Sequence, residues 1–119
     1  MKAQFSRSNH QRSNTLILLL ILGLLGMSHA PSVWAQPKTH TVTMEAVKFT
    51  PATIEVNAGD TVIWVNKDPF PHNVTAADRQ FHSKDIEAGA SWKLKTTKKG
   101  VFPYGCTLHP MMKATLVVK

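Results

Sequence analysis

The sequence predicts a small all-β domain, a sandwich or barrel with Greek-key connections, and three observations predict it. From residue 36 onward, short stretches of alternating apolar and polar side chains are separated by turn residues. Nowhere in that stretch does an apolar i, i+3, i+4, i+7 pattern persist long enough for a helix. Strands spaced this closely, with no internal repeat and no second domain, are the pattern of a two-layer or closed β fold.

Before that domain comes a segment with a different purpose. Lys2, Arg7 and Arg12 precede an uncharged run from Thr15 to Met27 dominated by leucine and isoleucine. Its apolar core, Leu16 to Leu25, is short for a bilayer span, and Val33 and Ala35 flank Trp34 in an A-x-A-like pattern. Residues 1–35 are therefore read as a secretory signal peptide cut after Ala35 in preference to Ala30, leaving 36–119 as the mature domain without stable membrane insertion. An exported, periplasmic location is expected.

The mature chain is expected to start loosely over Pro37 to Thr39. From His40 to Phe49 the apolar register begins with Val42, Met44 and Ala46 and then shifts to Val47 and Phe49, which predicts a strand with a bulge near Ala46. Asn57-Ala58-Gly59-Asp60 predicts a turn into Thr61 to Val65, a strand apolar on both faces as in a sandwich interior. Glu87-Ala88-Gly89 and Lys98-Lys99-Gly100 predict further turns. Between them, Ser91 to Thr96 puts Trp92, Leu94 and Thr96 on one face and Lys93 and Lys95 on the other. Val101 to Cys106 puts Phe102, Tyr104 and Cys106 on one face; in Lys113 to Val118, Ala114, Leu116 and Val118 share a face with Met112.

Charge and cysteine usage narrow the function. Of 14 Lys and Arg, three lie in the leader, so the mature domain carries 11 against seven Asp and Glu. The lysines are scattered, without the arginine clusters or interleaved aromatics of a nucleic-acid surface. Cys106 is the sole cysteine, and an exported chain normally uses cysteines in pairs. It therefore forms an intermolecular bridge, stays a free thiol, or binds a metal.

The loop Cys106-Thr107-Leu108-His109-Pro110-Met111-Met112 favours the metal. Cys106, His109 and Met112 recur every three residues around a tight turn between two strands. A second histidine, His72, follows another strand in Pro69-Phe70-Pro71-His72-Asn73, where prolines fix the backbone. If that strand end shares a pole with the cysteine loop, two imidazoles, a thiolate and a thioether can converge, which is the donor set of a blue-copper centre. Structural zinc sites prefer two to four thiolates and rarely take methionine. Four protein ligands leave no open position for a substrate, so an electron carrier is expected rather than an enzyme, with copper storage or delivery as the alternative. His40 and His82 lack companions at ligand spacing and are read as ordinary surface or loop histidines.

Pro71-His72-Asn73-Val74 together with Tyr104 to Met112 resembles the cupredoxins, and among them the amicyanins. Gly59-Asp60-Thr61-Val62, Trp64 and Asn66 extend the resemblance over nearly the whole mature chain. It implies a Greek-key β-sandwich with one type 1 copper ion near a pole, His72, Cys106 and His109 as close ligands and Met112 axial. It further implies that the Asn73 backbone N–H points at the Cys106 sulfur while its side chain ties the two ligand loops. Leu108 and Met111 depart from the amicyanin loop, where proline and phenylalanine are usual. Electrons are expected to leave through the His109 edge to transient redox proteins docking at Phe70, Pro110 and Met111, with the carrier a monomer.

Overall fold

A computed structural model describes residues 30–119, so most of the expected leader lies outside the described residues. Eight strands run in the order β1 (Thr39–Glu45), β2 (Lys48–Thr50), β3 (Thr53–Val56), β4 (Thr61–Asn66), β5 (Thr75–Ala76), β6 (Ser91–Lys95), β7 (Gly100–Gly105) and β8 (Lys113–Val118). They form two four-stranded sheets, β2-β1-β4-β6 and β3-β8-β7-β5. β1 pairs with β4 and β3 with β8 in parallel, and the other neighbours are antiparallel. From β2 to β7 each successive strand changes sheet, while β1–β2 and β7–β8 remain as hairpins within one sheet, and the expected all-β sandwich with crossing connections is what forms.

The period-two pattern decides which face is buried. Val42, Met44, Phe49, Val62 and Trp64 from one sheet meet Val56, Phe102, Tyr104, Ala114, Leu116 and Val118 from the other in a single core. Trp64 is its largest side chain, fully buried, and burying an aromatic of that size contributes roughly 4–6 kcal/mol of gross transfer free energy. Its Nε1–H donates to the Tyr104 hydroxyl at 3.1 Å, joining the two sheets. Burial pushes the Tyr104 phenol up to about 12, with the Trp64 hydrogen bond opposing.

Two expectations are corrected. The register shift near Ala46 is a hairpin, since Met44 pairs with Phe49 and Glu45 with Lys48, which leaves Ala46 and Val47 as a two-residue loop. Both have positive φ, 52° and 57°. Two-residue hairpins need such angles and usually place Asn-Gly there. A β-branched valine in that region stores strain of order 1–3 kcal/mol, so something outside the hairpin must hold it. The start of the domain is also firmly held: the Lys38 N–H donates to Asp60 Oδ1 at 2.8 Å, and its carbonyl accepts from Thr61 N.

Candidate metal centre

β4 and β7 lead into the two loops that carry the candidate donors. At the end of β4, the fully buried Asn66 side chain donates to the Phe70 carbonyl at 2.8 Å and the Ile86 carbonyl at 2.9 Å. It thereby fixes the Pro69-Phe70-Pro71 segment. His72 then exchanges backbone hydrogen bonds with Ile86, 3.1 Å and 2.6 Å, which pins the main chain of this candidate donor.

The second loop closes on itself. Cys106 N donates to the Met112 carbonyl at 3.1 Å, and Met112 N to the His109 carbonyl at 2.9 Å. Glycine is needed just before the cysteine, because a Cβ on Gly105 would stand 2.9 Å from that Met112 carbonyl oxygen. Alternation along β7 turns Cys106 inward, and the phase of β8 does the same for Met112; both are buried.

Three of the four expected donors meet at one point. His72 Nδ1 and His109 Nδ1 lie 3.1 Å apart, and each is close to the Cys106 sulfur, 3.9 Å and 3.8 Å. They form the one cluster of three or more His, Cys or acidic donors among the described residues. A point in their plane sits about 2.1 Å from all three, a usual length for a bond from a first-row metal to imidazole and slightly short for thiolate. Met112, at the end of the same loop, is 1% exposed, whereas His109 is half-buried. The donor set fits a soft, borderline metal that accepts both sulfur and imidazole nitrogen.

Asn73 does what the resemblance implied. Its N–H donates to the Cys106 sulfur at 3.3 Å, its Nδ2 donates to Thr107 Oγ1 at 2.7 Å, and its Oδ1 accepts from Thr107 N at 3.0 Å. The cysteine loop and the His72 loop are therefore tied directly. Phe70 stands 5.4 Å from the His109 ring and 5.3 Å from the His72 ring, centroid to centroid.

One residue of the site escaped the sequence reading. Asp68 Oδ2 accepts from His72 Nε2 at 2.7 Å, with both side chains buried. The same carboxylate accepts from Ala46 N at 2.8 Å and Val47 N at 3.0 Å. Burial pushes the Asp68 carboxyl up, but the Val47 N–H, the His72 ring and the Ala46 N–H outweigh it and leave it below the ordinary carboxylate value. An acid four residues before the histidine was the available signal. His40 also proves to be partnered, with Nε2 2.8 Å from Asp60 Oδ2, so it is no ordinary surface histidine. His82 is exposed and its backbone bridges to Thr75.

Comparison with known proteins agrees with the geometry. The cupredoxin-like domain family matches residues 16–118. The chain is 31% identical to amicyanin-alpha of Methylorubrum extorquens over 66% of its own length and 70% of that protein. It is 29% identical to amicyanin of Paracoccus denitrificans, covering 66% of this chain and 63% of that one, so it spans slightly under two thirds of the latter. Among solved structures, a Cu(I) form of a methionine-to-alanine variant of amicyanin superposes with a TM-score of 0.64 at 28% identity, over 68% of this chain and 82% of the other. Fold, donor cluster and sequence agree: the chain is a member of the cupredoxin family.

Proposed function

We propose that this protein is an exported type 1, or blue, copper protein that carries single electrons between redox proteins, holding one copper ion with His72, Cys106, His109 and Met112. The observation that carries the reading is the convergence of two imidazole nitrogens and one buried sulfur within 4.8 Å of one another. Residues 1–35 serve as the export signal, and the mature monomer works in the periplasm.

Bound copper supplies the Cu(I)/Cu(II) couple, and the protein's task is to keep its donors still while the charge changes. Cys106 is held by strand β7 and by its own N–H to Met112. Its sulfur takes the Asn73 N–H, which withdraws electron density and favours the reduced state. Cys106 and Met112 are themselves buried, which keeps bulk water from the sulfur. Outward, the half-buried His109 ring offers the shortest route to a partner.

Around that ring Phe70, Pro110 and Met111 form a small apolar rim, with Met111 95% exposed. A rim of this size suits brief contact and fast release, as an electron carrier needs. Scattered lysines would speed encounter with an acidic partner and make it salt-sensitive.

The test is the visible spectrum of residues 36–119 with one equivalent of Cu(II), before and after a mild reductant, beside Cys106→Ala. The reading expects an intense blue band that the reductant bleaches, an oxidant restores and the substitution abolishes. A colourless complex, or a band that survives loss of Cys106, would overturn it.

A further inference from the structure

We propose that Asp68 is a positioning residue for the copper site and that the β1–β2 turn acts on the metal through it. The inference rests on the copper reading, but begins from contacts the metal does not make. One carboxylate gathers three donors: Ala46 N on Oδ1, and Val47 N and His72 Nε2 on Oδ2. An ionised carboxylate only accepts, so the His72 proton sits on Nε2 and Nδ1 presents its lone pair. Nδ1 is the nitrogen that faces Cys106 and His109. Asp68 thus selects both the tautomer and the rotation of the ring, and its charge raises the donor strength of the imidazole.

The turn determines where that carboxylate stands. Ala46 and Val47 both adopt the left-handed conformation, and together they aim their N–H groups at Asp68. Neither residue favours this geometry, so the carboxylate that takes both N–H groups is what sustains it. The backbone is fixed as well: Asp68 N donates to Asn66 Oδ1 at 2.9 Å and Lys67 N to the Met44 carbonyl of β1 at 2.8 Å. A chain of direct contacts therefore runs from the turn, through the carboxylate, to the ring that binds copper. A plain turn cap would not need to be buried against a ligand; this one is 8% exposed against a ring that is wholly buried.

The experiment compares the parent protein with Asp68→Asn, Asp68→Glu and a two-glycine insertion between Ala46 and Val47, which releases both N–H groups without touching Asp68. In the metal-free protein, ¹⁵N NMR of the His72 ring should report a proton fixed on Nε2, and Asp68→Asn should give a mixture of tautomers. In the copper-loaded protein, losing the carboxylate should weaken Cu(II) binding about 10- to 100-fold relative to Cu(I). At 59 mV per tenfold change, the midpoint potential then rises by about 59–118 mV. The insertion should shift both readouts in the same direction by less, and Asp68→Glu should restore part of the potential.

Unchanged tautomer and potential in Asp68→Asn, with only the melting temperature lowered, would overturn the proposal. If that variant does not fold, the insertion decides the matter: a potential equal to the parent's sinks it, and a raised one supports it. A parent protein with no blue band would instead remove the copper reading, while the metal-free NMR would still judge the hold of Asp68 on His72.

Discussion

The two ends of β4 carry the same small device. At its start, Asp60 accepts from Lys38 N, Asn57 N and His40 Nε2; just past its end, Asp68 accepts from Ala46 N, Val47 N and His72 Nε2. Each is a carboxylate gathering two backbone N–H groups and one imidazole, with histidine distances of 2.8 Å and 2.7 Å. What differs is the other side of the ring. His72 is wholly buried and its Nδ1 meets a sulfur and a second imidazole, whereas His40 is 26% exposed and belongs to no donor cluster among the described residues. A histidine–carboxylate pair is therefore no sign of chemistry by itself; what the second ring nitrogen faces decides.

The sharpest way to break this comparison is to remove each ring in turn. His72→Ala should abolish the intense copper band and its reversible bleaching, because the trigonal set loses a donor. His40→Ala should leave band position and intensity unchanged. Absorption of the two copper-loaded variants at neutral pH checks it, and a blue site that tolerates His72→Ala would erase the distinction.

Next in size is an effect on both ends at once. Trp64 lies on β4 between the two devices and bonds Tyr104, two residues before Cys106. Trp64→Ala leaves a large cavity and an unpartnered hydroxyl, for a loss of about 3–5 kcal/mol. Urea unfolding followed by circular dichroism, and by the blue band in parallel, should show both midpoints falling together. A band lost well before the sheets unfold would mean that the metal end is a separate cooperative unit.

The comparison also explains which parts could be read from the sequence. The candidate donors Cys106, His109 and Met112 stand out because sulfur and imidazole recur at short spacing in one loop, and His72 because Pro69 and Pro71 lead into it at the end of a strand. The strands around Val62, Trp64, Phe102 and Leu116 are legible because alternation is a local property. Asp68 is legible only in part: His72 stands four residues on, but Ala46 and Val47 are more than twenty residues away, and a tertiary contact leaves no periodicity. The same contact explains the missed turn. With Ala-Val in place of Asn-Gly, the local chemistry points to a bulge, and only the distant carboxylate makes the hairpin affordable. His40 was missed likewise, since its partner lies across the β1–β4 pair.

A smaller effect concerns pH at the Asp60 end. The Asp60 carboxyl is held down from 3.8 to about 2, first by the Lys38 N–H, then by the His40 ring and the Asn57 N–H, against a smaller upward push from burial. The unfolded chain therefore takes up this proton at higher pH than the folded one. The stability Asp60 contributes is complete above about pH 4 and is lost as pH falls through about 2. Asp60→Asn should flatten that part of the acid-unfolding curve while leaving the neutral-pH copper spectrum unchanged. An acid slope equal to the parent's would show that Asp60 is not what the protein loses in acid.

The smallest expected effect concerns surfaces. Met111 is 95% exposed beside His109, and Val101 is 65% exposed near the start of β7, at the other end of that strand from Cys106. Electron self-exchange between the Cu(I) and Cu(II) forms, read from NMR line widths, needs no foreign partner and requires two copies to meet where electrons leave. Met111→Lys puts two like charges face to face in that encounter and should slow exchange several-fold at low ionic strength, the deficit shrinking as salt screens the charges over about 10 Å at 0.1 M. Val101→Lys adds the same charge and should change the rate little. Equal slowing by both would mean that net charge alone governs the encounter and that the His109 rim has no special part in it. A Met111 effect that salt does not relieve would assign the loss to the removed apolar contact instead, and would still place the encounter at the copper end of the sandwich.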